Sequence, residues 1–210
     1  MNRSSISRYA PLVIALVFAA LAQTTAVAPG LAQDVHLSGF FDIAFGSTQA
    51  EAQEAILRHQ GVTFDPLHSD KYNLIFDGGA IAGFPVGFWV LGFVDDQMHT
   101  AKAIVRPTEE HLIATYKNLL ALFTATYGEP TRQAAFFDAP YEDGDGFETY
   151  AISFGKGHFA ALWTFSDGEN ENAILLSIDK DLYIPIVFQS GRLIELALAQ
   201  QQQKAPTTGL

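Results

Sequence analysis

The chain has 210 residues, of which 49% are hydrophobic and 17% charged, and its 12 Lys and Arg against 23 Asp and Glu give a formal net charge of −11. It contains no cysteine, which excludes disulfides, thiolate metal sites, cysteine nucleophiles and a lipid-anchored cysteine. The acidic balance argues against nucleic acid as a partner, because phosphate backbones are bound through Lys and Arg. The apolar content is too high for a disordered chain, so a folded domain is expected.

The amino-terminal segment has the layout of a secretory signal peptide. Arg3 and Arg8 form a basic region, and an uninterrupted apolar run follows over residues 12–22. A helix of that length rises about 16 Å, which is too short for a bilayer core of about 30 Å. We therefore predict a signal peptide over residues 1–32, cleaved before Gln33, with an uncleaved anchor as the alternative. This predicts a periplasmic or secreted protein with no transmembrane span after signal removal.

The first half of the remaining chain reads as a helix followed by strands. Thr48 and Glu51 have the spacing of a capping box and predict a helix over residues 48–60. Strands are predicted over residues 72–76, 80–84, 86–94 and 98–106, with a hairpin turn before the last of them. Residues 86–94 are apolar at both alternating positions, which predicts that both sides of that strand are covered.

The second half repeats this order. Apolar residues at helical spacing predict a long helix from Thr108 to Tyr127 that lies flat on a sheet. Further strands are predicted over residues 149–154, 158–165, 172–179 and 182–189, and the short connections between them favour antiparallel neighbours. Pro185 predicts an edge position or a bulge for the last strand, since proline cannot donate to a ladder.

These patterns predict an α+β fold of two helix-then-antiparallel-meander units, with the helices packed on one face of a mostly antiparallel sheet. The predicted organisation is a signal peptide at 1–32, a single α+β domain at 33–190 and a carboxy-terminal tail at 191–210. The domain would consist of two repeats, at about 40–106 and 107–190.

Three stretches carry a resemblance to a known family. They are residues 45–51 opening a helix, Tyr116 to Pro130 closing one, and Leu162-Trp163 followed by the apolar strand 174–178. Together they resemble the exported tandem αβ-repeat proteins of bacterial envelopes, which are similar to the outer-membrane-assembly lipoprotein domain (SmpA/BamE type) and to β-lactamase-inhibitor proteins. The resemblance implies a protein-binding role without catalysis, with the open sheet face as the contact surface.

Motifs for catalysis and for cofactors are missing from the sequence. There is no G-x-S-x-G, and no two of the six histidines have the spacing of a ligand pair, so we predict no cofactor and no metal site. The acidic stretch 138–148 begins like a calcium loop at Asp143 and Asp145 but then departs from that pattern, which favours a solvated loop over weak calcium binding. A hydrolase using these two carboxylates is the least favoured alternative.

Aromatic residues provide the remaining signal for function. Trp89 and Phe93 share one face of a predicted strand, and Trp163 lies on another. The aromatic pattern favours a core position for these rings, under the helices. If one such row lies on an exposed sheet face instead, the candidate binding residues are Trp89, Phe93, Tyr150 and Trp163. The leading hypothesis is an exported, non-catalytic module that binds a protein partner. The alternative is a carrier of a small apolar ligand, in a pocket walled by residues 86–94.

Overall fold

The computed structural model describes residues 36–167 and 170–204. The predicted signal peptide over residues 1–32 and the last six residues of the predicted tail lie outside the described residues. The helices are α1 (Gln49–Leu57), α2 (Leu112–Tyr127), α3 (Glu148–Ser153) and α4 (Gly191–Lys204). The strands are β1 (Gly39–Phe40), β2 (Ile43–Ala44), β3 (Val62–Phe64), β4 (Asn73–Gly78), β5 (Ala80–Ile81), β6 (Phe84–Val94), β7 (Gln97–Val105), β8 (Arg132–Phe137), β9 (Gly157–Asp167), β10 (Asn170–Ser177) and β11 (Ile184–Gln189).

One large sheet organises the molecule. Its strand order is β3-β4-β6-β7-β11-β10-β9-β8, with β5 paired to β6, and every pairing is antiparallel. The strands β1 and β2 form a separate hairpin. The predicted α+β class with a mostly antiparallel sheet is confirmed. Two four-stranded meanders meet along β7 and β11 in the centre, which leaves β3 and β8 at the two edges.

Both predicted helices form, and local sequence explains where they begin and end. At the start of α1 the Thr48 hydroxyl accepts a hydrogen bond from the Glu51 backbone, while the Glu51 carboxylate accepts one from the Thr48 N–H at 2.9 Å. A short 3-10 turn, Glu109–His111, precedes α2, so the α-helix begins at Leu112 rather than directly after Thr108. Gly128 ends α2 with a φ of 84°, a conformation that favours glycine.

The two helices α1 and α2 cover one face of the sheet. Their buried side chains, among them Ile56, Tyr116 and Leu119, belong to one apolar cluster with alternate residues of the central strands. Ala160, Leu162, Leu175 and Val187 alternate with those residues and form a second, smaller cluster on the opposite face. The strand alternation inferred from the sequence is therefore the alternation between these two clusters.

The segment between α2 and β9 differs from the prediction. Residues 149–154 were predicted as a strand, but all of them except Phe154 lie in the helix α3. Its burial explains the difference, because Ala151 and Ile152 are buried next to each other, whereas a strand would send them to opposite faces. The strand β8 was not predicted, because its residues Arg132–Phe137 lack a clean alternation of polar and apolar side chains.

The last strand also differs from its predicted place. The strand β11 pairs with β7 on one side and β10 on the other, so Pro185 lies in the centre of the sheet rather than at an edge. The ladder between β10 and β11 begins only at Ile186, so Pro185 lies just beyond it. A ring nitrogen in that position costs the ladder no hydrogen bond.

The segment assigned to a tail begins as part of the folded structure. The helix α4 contacts β10, β7 and β6, and its Leu193 and Ala197 pack against Val94. Among the described helices, none has the length and apolar character that crossing a membrane requires.

Candidate functional site

Three of the four predicted binding residues lie inside the core. Trp89, Phe93 and Trp163 are 1%, 3% and 2% exposed, on the sheet face that α1 and α2 cover. The indole N–H of Trp89 donates to the Gly78 carbonyl at 2.7 Å, and that of Trp163 donates to the Gly128 carbonyl at 2.8 Å. Burial under the helices, which the aromatic pattern favoured, is confirmed for these three residues, and their candidacy for an exposed face is wrong. Alternation shows that side chains share a face but does not show which face the helices cover.

Tyr150 is the predicted residue that reaches the surface. It is 51% exposed on α3, and Phe147 and Phe154 beside it are 61% and 65% exposed. The rings of Tyr150 and Phe154 lie 4.5 Å apart, and the ring of the half-buried Tyr141 lies 6.2 Å from that of Tyr150. We call Phe147, Tyr150 and Phe154 the α3 patch. Phe147 and Phe154 are the residues that flank the helix at its two ends, and they stand three and four residues from Tyr150.

The opposite side of α3 fixes the patch to the sheet. Ala151 and Ile152 are buried, and their carbonyls accept backbone hydrogen bonds from Lys156 and Gly155 as the chain turns into β9. Gly157 permits this close approach, because a Cβ there would stand 2.5 Å from the Ile152 Cγ1 atom. The short helix is therefore held at the end of the β8–β9 pair.

An acidic loop joins β8 to α3. Residues 138–148 contain five carboxylates and no Lys or Arg. The Asp145 carboxylate accepts the backbone N–H groups of Glu142 and Phe147, and the Glu148 carboxylate accepts that of Gly144. These contacts shape the loop around its own acids. Within residues 36–167 and 170–204, no three His, Asp or Glu side chains converge as a metal site would require.

The base of this loop is a small charged cluster. The His158 Nε2 atom donates to the Asp138 carboxylate at 3.1 Å, and the Lys156 ammonium group lies 3.7 Å from the same oxygen. The hydrogen bond from His158 lowers the pKa of Asp138, and the nearby Lys156 charge lowers it further. The His158 ring also stacks on Phe136, which is 44% exposed on β8. This cluster fixes the point where β8 leaves the sheet.

The strand β8 is an edge strand with accessible side chains. It pairs with β9 on one side, and in the part of the chain that the structure describes no strand pairs with the other side. Gln133, Ala135 and Phe136 are exposed. Its carboxy-terminal end runs directly into the acidic loop and the α3 patch. The edge strand, the loop and the patch therefore follow one another directly along the chain.

A separate groove lies between the β1–β2 hairpin and α2. Its volume is about 360 Å³, and its walls include Phe40, Phe41, Leu122, Phe123 and Tyr127. Its lining includes no residue of β6, although residues 86–94 were predicted to wall an apolar pocket. The volume is in the range of small-ligand sites.

Two polar side chains with a buried polar atom lie away from these surfaces. The His99 Nδ1 atom and the Tyr116 hydroxyl have no hydrogen-bond partner among the described residues. Burial lowers the pKa of His99 to about 4 and raises the pKa of Tyr116. Both groups are held neutral at pH 7, so they belong to the core rather than to a charged site.

Comparison with known proteins adds no family. No protein-family model, no curated protein and no solved structure matches this chain.

The sequence carried one signal for the α3 patch that strand alternation obscured. Phe147, Tyr150 and Phe154 recur at helical spacing, and Ala151 and Ile152 fill the other side of the same helix. The edge position of β8 had no comparable signal.

Proposed function

We propose that this chain is an exported, non-catalytic binding module that recognises a protein partner through the α3 patch and the acidic loop beside it. The observation that carries the proposal is the exposure of Phe147, Tyr150 and Phe154, all above one half, on and beside a short helix whose Ala151 and Ile152 are buried. Large exposed aromatic side chains in one patch are typical of interaction sites.

The rigidity of the patch supports this function. Ile152 and Gly157 hold α3 against the sheet, so the three rings need little ordering when a partner binds. Tyr is enriched at interface hot spots because it combines apolar area with a hydrogen-bonding end. The five carboxylates of the loop would form a charged rim that favours a basic partner.

The proposed export rests on the basic and apolar segments of residues 1–32. The test is the mass of the protein isolated from the envelope or the medium of its source cells. We expect a chain that begins at Gln33. A chain that retains residues 1–32 and stays in the cytoplasm would contradict export.

Photo-crosslinking in the source cells tests the binding function. A benzophenone amino acid replaces Tyr150, and in a matched control it replaces Leu67, which is 89% exposed in the turn after β3. We expect a discrete adduct from position 150 that is absent from position 67. The partner identified in this way is then titrated with the purified protein and with the Tyr150→Ser/Phe154→Ser variant.

The variant should bind about tenfold or more weakly, because the loss of two anchoring rings removes hot-spot contacts. Equal adducts from both positions, or equal affinity of the native protein and the variant, would contradict the proposed function.

The groove beside α2 favours a second candidate function, the carriage of a small apolar ligand. Native mass spectrometry of the purified protein should then show a bound molecule. Leu122→Trp, which fills the groove, should release it, whereas Leu57→Trp, an exposed position on α1, should not. A protein that carries no ligand and takes up no fluorescent apolar probe would exclude this function.

A further inference from the structure

We propose that the open edge of β8 receives an extended, basic segment of the partner, which adds to the sheet as one more antiparallel strand. This inference rests on the proposed function, because it names how the partner reaches the α3 patch and what chemistry it has. It concerns the backbone of β8, whereas the proposed function concerns aromatic side chains on α3. The two can therefore be tested apart.

The direction of the backbone groups follows from the register. In the β8–β9 pair Phe136 lies opposite His158 and Phe137 opposite Gly157, and the same register places Asp138 opposite Lys156. The Asp138 N–H donates to the Lys156 carbonyl at 2.7 Å, so these two residues form a hydrogen-bonded pair. Hydrogen-bonded and non-hydrogen-bonded pairs alternate along an antiparallel ladder.

The parity of β8, that is, which of its residues direct their backbone groups toward β9, is therefore fixed. Arg132, Ala134 and Phe136 direct their N–H and C=O groups toward β9. Gln133, Ala135 and Phe137 direct theirs away from the sheet. Backbone hydrogen-bond groups along an edge strand are a template for another strand. A matching segment of about six residues would span about 20 Å.

The side chains along this edge leave room for a strand. Gln133 and Ala135 are exposed, and Ala135 presents only a methyl group. Phe137, which is half-buried, packs against Phe159 with 5.4 Å between ring centroids, and so turns toward the core. An added strand would lie beside β8 and reach the α3 patch where β8 ends.

The charge of the acidic loop indicates which kind of segment would pair with the edge of β8. The five carboxylates of residues 138–148 follow β8 directly, with no Lys or Arg among them. An antiparallel segment that carries Lys or Arg at its amino-terminal end would place those charges beside the loop. A second copy of this chain would bring a further net charge of −11, and such like charge opposes association. The complementary occupant is therefore a basic peptide segment.

Position 135 offers a variant that separates backbone from side chain. Ala135→Pro removes an N–H that points away from the sheet, so the β8–β9 ladder keeps its hydrogen bonds. Ala135→Ser is the matched control, because it changes the side chain and keeps the N–H. Both variants keep the aromatic rings of the α3 patch. Circular dichroism and thermal unfolding establish that each is folded.

The probe is a synthetic nine-residue peptide with three lysines at its amino-terminal end, followed by alternating valine and threonine. It is labelled with a fluorophore and titrated with the mature protein. One control peptide carries glutamate in place of lysine. A second control peptide has N-methyl groups on every backbone amide of its valine and threonine residues, which removes the donors from both edges of the strand and leaves the charge unchanged.

Strand addition predicts that the native protein and Ala135→Ser bind the probe equally. Ala135→Pro should bind it about tenfold or more weakly, since a backbone hydrogen bond is lost and a partner group is left unpaired. The glutamate and N-methyl peptides should bind no better than Ala135→Pro binds the probe. Infrared spectra of the complex should show added β-structure.

Several outcomes would overturn the inference. They are absence of probe binding, equal binding by the N-methyl peptide, and equal binding by Ala135→Pro. If Tyr150→Ser/Phe154→Ser weakens binding of the partner found by crosslinking while Ala135→Pro does not, strand addition is wrong and the proposed function stands. If neither variant weakens binding of that partner, both strand addition and the proposed function are wrong. A dimer that Ala135→Pro dissociates would identify a second copy as the occupant, and would also overturn the basic peptide.

Discussion

The two edges of the sheet differ in the backbone that they present. The edge strand β3 has three residues, and β8 has six. The Asp65 N–H donates to the Ile75 carbonyl, so Thr63 turns its backbone groups inward and Val62 and Phe64 turn theirs outward. The N–H of Val62 is already used by the His59 carbonyl at 3.3 Å. Little of the β3 backbone is therefore left to template another strand.

The edge at β8 lacks this protection. Three of its residues direct both backbone groups outward, and one of them is an alanine. Natural edges are commonly short, charged or bulged, because a long accessible edge invites pairing. A sheet can therefore close one edge by its own turns and leave the other open. The open edge is the one beside the exposed aromatic side chains.

Although their edges differ, the two meanders each have a buried tryptophan in their interior. Trp89 and Trp163 each fill the core and each donate to a glycine carbonyl. Trp89→Ala and Trp163→Ala should therefore each lower the free energy of unfolding by about 3–5 kcal/mol. Urea denaturation measures this, with Phe154→Ala as a control that should change it by less than about 0.5 kcal/mol. A large cost for one tryptophan alone would mean that the two meanders differ in their cores as well as at their edges.

A second experiment tests which residues of β8 direct their N–H groups toward β9. Ala134→Pro removes an N–H directed at β9, and should lower the free energy of unfolding by about 2 kcal/mol. Ala135→Pro should cost less than about 1 kcal/mol, because its N–H points away from the sheet. Chemical denaturation of the two variants makes the comparison. Equal costs would show that the assigned parity of β8 is wrong.

The strand β7, one of the two central strands of the sheet, should respond to acid. Burial lowers the pKa of His99 on β7 to about 4, while the unfolded chain keeps a value near 6.5. Between these values the unfolded state binds more protons, so stability is complete above about pH 6.5 and falls as the pH falls toward 4. The loss should amount to about 1–3 kcal/mol.

The control for this effect is His99→Gln, which cannot titrate in that range. Its free energy of unfolding, measured from pH 7 to pH 4, should decline less steeply than that of the native protein. Parallel curves for the two proteins would show that His99 is not held neutral by burial.

The smallest expected effect concerns α2, whose side chains contact the core. The Tyr116 hydroxyl is buried and has no hydrogen-bond partner among the described residues. Tyr116→Phe removes a desolvated polar group and keeps the ring that packs on Phe159. We expect thermal unfolding to show a gain of about 0.5–1 kcal/mol. A loss of stability larger than that amount would mean that the Tyr116 hydroxyl makes a hydrogen bond in solution.

Much of the fold could be predicted because its signals are local. The capping box at Thr48 and Glu51, the apolar stripe of α2 and the turn between β6 and β7 each depend on residues close in sequence. The candidate site could be predicted only in part. Tyr150 was predicted as a binding residue, although on a strand rather than a helix. Phe147 and Phe154, which complete the α3 patch, were not predicted.

The amino-acid sequence by itself determined the α+β class, the antiparallel character of the sheet and the sets of side chains that share a strand face. Tertiary structure decided which face α1 and α2 cover, and so buried Trp89 and Trp163. It also placed Pro185 in a central strand and β8 at an edge. The physical reason is that spacing along the chain fixes the direction of a side chain, whereas strand neighbours depend on pairing between residues far apart in sequence.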